Sequence, residues 1–276
     1  MAAIWLHYVR CVVGLVMLFV PLFIFIGLPQ LGLLTRNAKR GNESADEMHV
    51  RMCRWFFRWC QVYNRCLWLT AGLRWEFVIS DEDRELARQI PMLVTGNHYG
   101  LIDATLLGEG GMRVGVERVR GVAMQETSSW PVIGTVLKLG KTAFMRRKHV
   151  SSGPNQDVED LLAFGKSLHE DQSWAVIFVE GRTFEGVPDE GYRNVRKPKT
   201  RGLEAMLSGA PKHPLMVVSY VWHDYDPRKM LWTGAVPPGS KVTMHIKVIR
   251  EPDVATVREW LPLEWHRIDD QIQSER

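Results

Sequence analysis

Hydrophobic and polar residues follow three successive patterns along this chain of 276 residues. The first is an uncharged apolar run at residues 11–35, bracketed by Arg10 and Arg36. A helix of this length would extend ~37 Å, more than the ~30 Å hydrocarbon core of a bilayer. We therefore predict a retained N-terminal membrane helix rather than a buried core helix. Pro21 and Pro29 lie inside the run, so a re-entrant or monotopic insertion stays open beside a full span.

The second pattern is amphipathic. A polar stretch at residues 35–47 predicts a linker, and residues 49–70 then predict a helix with aromatic side chains on one side. The basic residues of this helix fall within a narrow arc at ~100° per residue. They are Arg51, Arg54, Arg58 and Arg65. A basic stripe beside aromatic bulk is typical of an interfacial helix on an anionic membrane. The alternative is a helix that packs on its own domain with a solvated arginine face.

The third pattern begins near residue 73, where short apolar runs alternate with amphipathic stretches. The runs predict strands at residues 74–79, 92–95, 121–124, 141–145, 174–179, 215–222 and 241–249. A helix is predicted at 155–170 with Asn155 as its cap, and Pro131 suits the first turn of another. Alternating strands and helices indicate an α/β fold with a largely parallel central sheet flanked by helices. The chain thus divides into an anchor and linker at 1–46 and one domain at 47–276.

Charge and composition favour a membrane setting. The net charge of +4 suits an anionic membrane surface or phosphorylated substrates and does not indicate nucleic-acid binding. Arg36, Lys39 and Arg40 outnumber Arg10, so the positive-inside rule places the following domain in the cytosol. The expected location is the inner membrane in a bacterium or the endoplasmic reticulum in a eukaryote. No C-x-x-C pair occurs among the cysteines, so no metal site is predicted.

Candidate chemistry is densest at residues 92–107, which read as a buried strand, a tight turn and the start of a helix. The turn presents His98, and Asp103 follows five residues later. On a regular helix this spacing would rotate the two side chains roughly 140° apart. A bend at Gly100 would let them meet. A carboxylate that accepts from one ring nitrogen leaves the other free to take a proton from a hydroxyl.

Two further blocks place cations at predicted strand ends. In the first, SWPVIG at residues 129–134 precedes GKTAFMRRK at 140–148, which contains Arg147. In the second, the apolar strand of residues 174–179 runs into Glu180, Gly181 and Arg182. Carboxyl ends of parallel strands meet at one edge of a sheet, where His98 would also lie. Guanidinium groups hold phosphates by paired hydrogen bonds, although a solvated cationic turn is the alternative for each block.

Together these blocks resemble the signature of the glycerolipid acyltransferases, the family of lysophosphatidate acyltransferases. His98 and Asp103 match the family's His-x4-Asp motif. Arg147 matches the arginine that follows its W-P-x-x-G-like turn and strand, although Arg146 fits by its spacing from residue 140. The sequence Glu-Gly-Arg-Thr at 180–183 resembles the family's Pro-Glu-Gly-Thr-Arg turn, with Val179 in place of proline and the last two residues reversed. The resemblance covers roughly residues 90–220.

The resemblance implies transfer of a fatty acyl group from an acyl thioester to the hydroxyl of a lysophospholipid, with lysophosphatidate expected as acceptor and phosphatidate as product. His98 would act as general base and Asp103 would orient it. The acceptor phosphate would be bound by Arg147, Glu180, Gly181 and Arg182. No cofactor is expected, because acyl-CoA or acyl carrier protein serves as co-substrate. Glycerol 3-phosphate or another lysophospholipid is an alternative acceptor, and a non-catalytic membrane-tethered lipid-binding protein is the alternative from another class.

Overall fold

A computed structural model describes residues 2–40, 44–130, 132–146, 156–184, 187, 189–223 and 239–276. Strands and helices alternate after a helical N-terminal region. The strands are β1 (Arg74–Ile79), β2 (Leu93–Gly96), β3 (Val119–Met124), β4 (Ala143–Met145), β5 (Trp174–Val176), β6 (Leu215–His223) and β7 (Lys241–Ile249). The α-helices are α1 (Ala2–Leu22), α2 (Leu28–Arg40), α3 (Ala45–Ala71), α4 (Asp81–Gln89), α5 (Leu101–Arg113), α6 (Ile133–Leu139), α7 (Gln156–Asp171), α8 (Thr200–Gly209) and α9 (Val257–Glu275).

The described strands form one sheet in the order β1-β7-β6-β2-β5-β3-β4. Neighbouring strands run parallel except β6 and β7, which are antiparallel. The predicted α/β fold with a largely parallel sheet is therefore confirmed. Helices α3 and α5 pack on one face of the sheet, and α7, α8 and α9 pack on the other. Because β2 and β5 are parallel neighbours, the turns that follow them lie side by side at one sheet edge.

The strand that leads to the candidate site is shorter than predicted. The predicted strand at 174–179 ends at Val176 as β5. The chain then turns, because the N–H of Gly181 donates to the carbonyl of Phe178 at 2.9 Å. In contrast, β1 and β7 occupy the predicted residues. Ile177 still donates its N–H to the carbonyl of Val94 at 2.9 Å, and residues 178–184 then form a turn beside the end of β2.

Two helix predictions extend beyond the described residues. Helix α7 occupies most of the predicted 155–170, but Asn155, its predicted cap, lies outside the described residues. Pro131 also lies outside them, and α6 begins at Ile133. A helix therefore begins two residues after Pro131, and the placement of Pro131 in its first turn stays a prediction.

The apolar N-terminal run is helical from Ala2 to Arg40. A π-helical turn at Phe23–Gly27 lies between Pro21 and Pro29 and carries the helix past both prolines. Residues Val12–Asn37 are long and apolar enough to cross a bilayer, by length and composition. Residues 35–40, predicted as part of a polar linker, continue the helix, because alanine, lysine and arginine favour helical backbone.

Helix α3 contains the predicted helix at 49–70. Ser44 and Glu47 begin it with a capping box. Its aromatic side packs on the N-terminal helix, with ring centroids 5.2 Å apart for Phe23 and Trp59 and 5.1 Å for Phe19 and Tyr63. The predicted arginine stripe is exposed: Arg51, Arg54, Arg58 and Arg65. Helix α3 thus packs on its own chain and presents a basic face outward.

Candidate active site

The turn after β2 is fixed to the neighbouring strand β6. The side chain of Asn97 donates to the carbonyl of Tyr220 at 3.1 Å and accepts from the N–H of Tyr220 at 2.8 Å. Gly96 is required beside it, because a Cβ atom there would lie 2.4 Å from the carbonyl oxygen of Val218. The backbone entering the candidate site is therefore held in one position before His98 is reached.

The structure brings His98 and Asp103 into contact. The Nδ1 atom of His98 lies 3.1 Å from Oδ2 of Asp103. The same oxygen accepts the backbone N–H groups of Tyr99 and Gly100 at 2.5 and 2.8 Å, because Asp103 stands in the first turn of α5. Asp103 is fully buried, whereas the side chain of His98 is 20% exposed. Nδ1 therefore carries a proton toward the carboxylate, and Nε2 is the ring nitrogen left to act as a base.

The turn after β5 packs directly on this imidazole. The ring of Phe178 stacks on His98 with centroids 4.0 Å apart and planes 10° apart. The N–H of Phe184 donates to the carbonyl of His98 at 2.6 Å. Residues 178–184 thus enclose the His98 turn on one side and place Glu180, Gly181 and Arg182 next to it.

Glu180 is buried behind the turn. Its Oε1 atom accepts from the indole N–H of Trp265 at 3.1 Å. Burial raises the pKa of Glu180 to about 8, although the Trp265 hydrogen bond opposes the shift. Glu180 is therefore a largely neutral carboxyl group at pH 7, and Arg182 is exposed at the surface of the turn.

Gly181 has a backbone conformation that disfavours a side chain, and it lies close to a lysine. Its φ of 70° lies in the left-handed region, which favours glycine. A Cβ atom there would lie 2.6 Å from the ammonium nitrogen of Lys199. Two cationic side chains, Arg182 and Lys199, therefore flank this glycine.

The other arginine predicted to bind phosphate is Arg147 or Arg146, and of these two the structure describes Arg146. Arg147 lies outside the described residues. Arg146, its alternative, is exposed just after β4, and its backbone N–H lies 3.4 Å from Oδ1 of Asp157. The structure therefore places His98, Asp103 and the Glu180–Arg182 segment together, and the choice between Arg146 and Arg147 stays a prediction.

A large apolar cavity lies under α3 and α5, against the sheet. It encloses about 700 Å³. Its wall includes Phe178, which stacks on His98, and Ala104, which follows Asp103. It extends across β1, β7, β6, β2, β5 and β3, which all contribute side chains to the lining. Sequence reasoning did not find this cavity, because the residues that line it come from many separate segments.

Comparison with known proteins identifies the family. The chain belongs to the Acyltransferase family, which matches residues 78–221, just over half of its length. It is also 30% identical over 134 residues to the lyso-ornithine lipid O-acyltransferase of Rhizobium meliloti (strain 1021). That match covers 49% of this chain and 40% of the relative. The chain thus spans less than half the length of this relative. Family and relative together support acyl transfer to a lipid.

Proposed function

We propose that this chain transfers a fatty acyl group from an acyl thioester to the free hydroxyl of a lysolipid. The observation that carries the proposal is the contact between His98 and the buried Asp103, in a chain of the Acyltransferase family. The His98 ring stacks on Phe178, which lines a cavity of about 700 Å³. Nε2 of His98 removes the hydroxyl proton, and the oxygen attacks the thioester carbon. The C–O bond forms, the C–S bond breaks, and the departing thiolate takes the proton back from His98.

Asp103 serves this reaction by holding the ring. One of its oxygens accepts from His98 and from two backbone N–H groups, so rotation of the carboxylate is blocked. The N–H groups of Tyr99 and Gly100 are used in these bonds. They are therefore occupied, and the developing oxyanion needs donors other than these two.

The apolar cavity suits the acyl chain. Ligand cavities of ~300–1,000 Å³ hold small molecules in proteins, and most of the wall of this one is apolar. Phe178 belongs both to that wall and to the ring stack on His98. An acyl chain bound there would direct its thioester toward the imidazole. The thioester, carried by coenzyme A or by acyl carrier protein, is a co-substrate in this proposal.

The acceptor we propose is lysophosphatidate. Its phosphate would contact Arg182 beside Gly181, with Arg147 or Arg146 as the second cation. Glu180 supports the turn from behind and does not bind the phosphate itself, since its carboxyl is buried. A lyso-ornithine lipid is the second candidate, favoured by the relative that bears this activity in its name. Glycerol 3-phosphate and other lysophospholipids are the remaining candidate acceptors.

An acceptor screen tests the proposal. The full chain, purified in detergent, is given one acyl-CoA or one acyl carrier protein thioester with each acceptor, and products are read by mass spectrometry. Acyl transfer by the wild type, lost in folded His98→Ala, is the expected result. Equal turnover by both proteins would overturn the proposal. Lipid binding without acyl transfer to any acceptor would instead support the non-catalytic alternative.

Packing between the N-terminal helix and α3 constrains the orientation of the N-terminal helix in the membrane. Trp59 contacts Phe23, near the middle of the apolar segment Val12–Asn37. Arg58 is its neighbour in sequence, and Arg54 is one turn away with 66% of its side chain exposed. If the N-terminal helix crossed the membrane perpendicular to its plane, Arg54 and Arg58 would lie near the bilayer centre. The cost would be ~2.5–3.5 kcal/mol for each arginine.

We therefore propose monotopic insertion, with the N-terminal helix lying along the cytosolic face of the membrane. Its exposed apolar side chains would enter the acyl region: Val13, Val16, Met17, Val20, Phe25 and Leu33. The arginines of α3 would then lie at the level of anionic headgroups. For a bacterial chain this membrane is the inner membrane, and for a eukaryotic one the endoplasmic reticulum.

A further inference from the structure

A buried carboxylate on α9 holds a segment that supports the site. Asp269 is 3% exposed. One of its oxygens accepts the N–H of Asn194 at 2.6 Å, and the other accepts the N–H of Arg193 at 3.0 Å. Asp103 also holds two consecutive N–H groups, in the turn that carries His98, although both donate to its Oδ2 atom. Asp269 lies outside the residues that match the Acyltransferase family.

The segment fixed by Asp269 binds the residue next to His98. The carbonyl of Asn194 accepts from the phenol of Tyr99 at 3.0 Å. Tyr99 is 5% exposed, and its backbone N–H is one of the donors to Asp103. Hydrogen bonds therefore connect α9 to the catalytic turn in the order Asp269, Asn194, Tyr99, Asp103.

A second side chain from the end of the described chain braces the same point. Arg276 donates to the side-chain oxygen of Asn194 at 2.8 Å and lies 3.5 Å from the Tyr99 hydroxyl. Trp265 of α9 meanwhile donates to Glu180 in the neighbouring turn. The back of the site is thus held from α9 at several positions along the helix.

We infer that Asp269 is a positioning residue for the His98–Asp103 pair, acting through Asn194 and Tyr99; this inference rests on the proposed acyl transfer. A general base works only when its nitrogen lies within hydrogen-bond reach of the reacting hydroxyl. A displacement of about 1 Å from a remote substitution can lower turnover ~10²-fold. Loss of the Asp269 carboxylate removes both backbone hydrogen bonds of residues 193–194 and leaves Asn194 held through its side chain, so the carbonyl that anchors Tyr99 is less firmly fixed.

Adjacent aspartates provide a matched pair for the test. Asp270 follows Asp269 on α9, but its side chain is 73% exposed and its contact is a 3.9 Å ion pair with Arg193. We expect Asp269→Ala to lower kcat roughly 10- to 100-fold per folded molecule, with KM for the acyl thioester unchanged within about twofold. Asp270→Ala should stay within about twofold of wild type in kcat. Equal kcat values for the two variants would overturn the inference.

A double-mutant cycle with Tyr99→Phe separates positioning from general loss of stability. If Asp269 acts through Tyr99, the variant carrying Asp269→Ala and Tyr99→Phe loses no more kcat than the more damaging single substitution. Losses that multiply would overturn the proposed connection. If Asp269→Ala does not fold, Asp269→Asn replaces it in the same cycle. The asparagine keeps one acceptor oxygen, so a smaller loss of kcat is expected. A wild type without acyl transfer would refute the proposed function instead, so the two failures are distinguishable.

Discussion

The imidazole of His98 lies face to face with the ring of Phe178, at a centroid separation of 4.0 Å. Phe178 also forms part of the wall of the apolar cavity. One aromatic ring therefore separates the candidate base from the space proposed for the acyl chain. Phe178 is thus the side chain through which the cavity wall and the His98 ring are in contact.

Replacing the carboxylate that holds His98 is expected to damage turnover more than binding. Asp103→Asn keeps the size of the side chain but removes its charge and its fixed preference for the Nδ1–H tautomer. We expect kcat to fall ~10²- to 10⁴-fold, the range associated with general base catalysis. The measurement is kcat at saturating thioester and acceptor on folded protein. Asp81→Asn, at a side chain that is 96% exposed on α4, is the control. Retention of more than a tenth of wild-type kcat in Asp103→Asn would contradict the proposed role.

Glu180 makes the free energy of unfolding depend on pH. Burial raises its pKa from an ordinary value of 4.5 to about 8 in the folded protein. Between these values the unfolded chain ionises this carboxyl while the folded protein keeps it protonated. Its contribution to stability is therefore fully present below pH 4.5 and is lost progressively as the pH rises to 8.

Glu180→Gln is expected to remove that pH dependence, because the amide is neutral throughout. The Tm of the variant should equal that of wild type near pH 4.5 and exceed it by at least ~5 °C at pH 8, since each pKa unit is worth ~1.4 kcal/mol. Thermal unfolding across this pH range provides the measurement. Glu190→Gln, at an exposed position, is the control, and its difference in Tm from wild type should stay the same across this pH range. A constant difference in Tm between Glu180→Gln and wild type at all pH values would show that Glu180 is ionised when folded.

Filling the cavity is expected to shorten the acyl chains that the protein accepts. Ile246 on β7 lines the cavity, whereas Ile249 on the same strand packs on the opposite face of the sheet. Ile246→Trp should lower turnover of the longest acyl donors at least tenfold and spare the shorter ones. Ile249→Trp is the matched control and should affect all chain lengths alike. Competition between acyl-CoA donors of different length, read by mass spectrometry, measures this. An unchanged length profile in Ile246→Trp would place the acyl chain elsewhere.

Monotopic insertion predicts that both ends of the chain face the cytosol. Protease-cleavable tags are placed before the first residue and after Arg276, and inverted membrane vesicles from the expression host are treated with protease. Cleavage of both tags is expected if the N-terminal helix lies in the membrane plane. Protection of the N-terminal tag alone would instead indicate a full span through Val12–Asn37.

Periodicity predicted most of the fold, and local spacing predicted the contact at the centre of the site. Gly100 provides the bend that allows His98 and Asp103 to meet across five residues. The antiparallel direction of β7 was not predictable, because an apolar strand pattern is the same in either direction. Trp265 is 85 residues from Glu180 in sequence, and no local motif signals their hydrogen bond. Contacts of this kind follow from the assembled sheet and helices rather than from any short segment.

Helix α3 separates two apolar compartments. Trp55 and Trp59 face the N-terminal helix, and Phe56 and Phe57 face the cavity. A fragment trimmed before Ser44 to improve solubility would uncover both tryptophans, since Leu31 and Leu34 pack on them in the intact chain. Such a fragment is expected to self-associate through these tryptophans, and loosening of α3 would disturb the cavity that Phe56 and Phe57 line. Detergent or a lipid nanodisc with the whole polypeptide is therefore the suitable preparation for biochemical work.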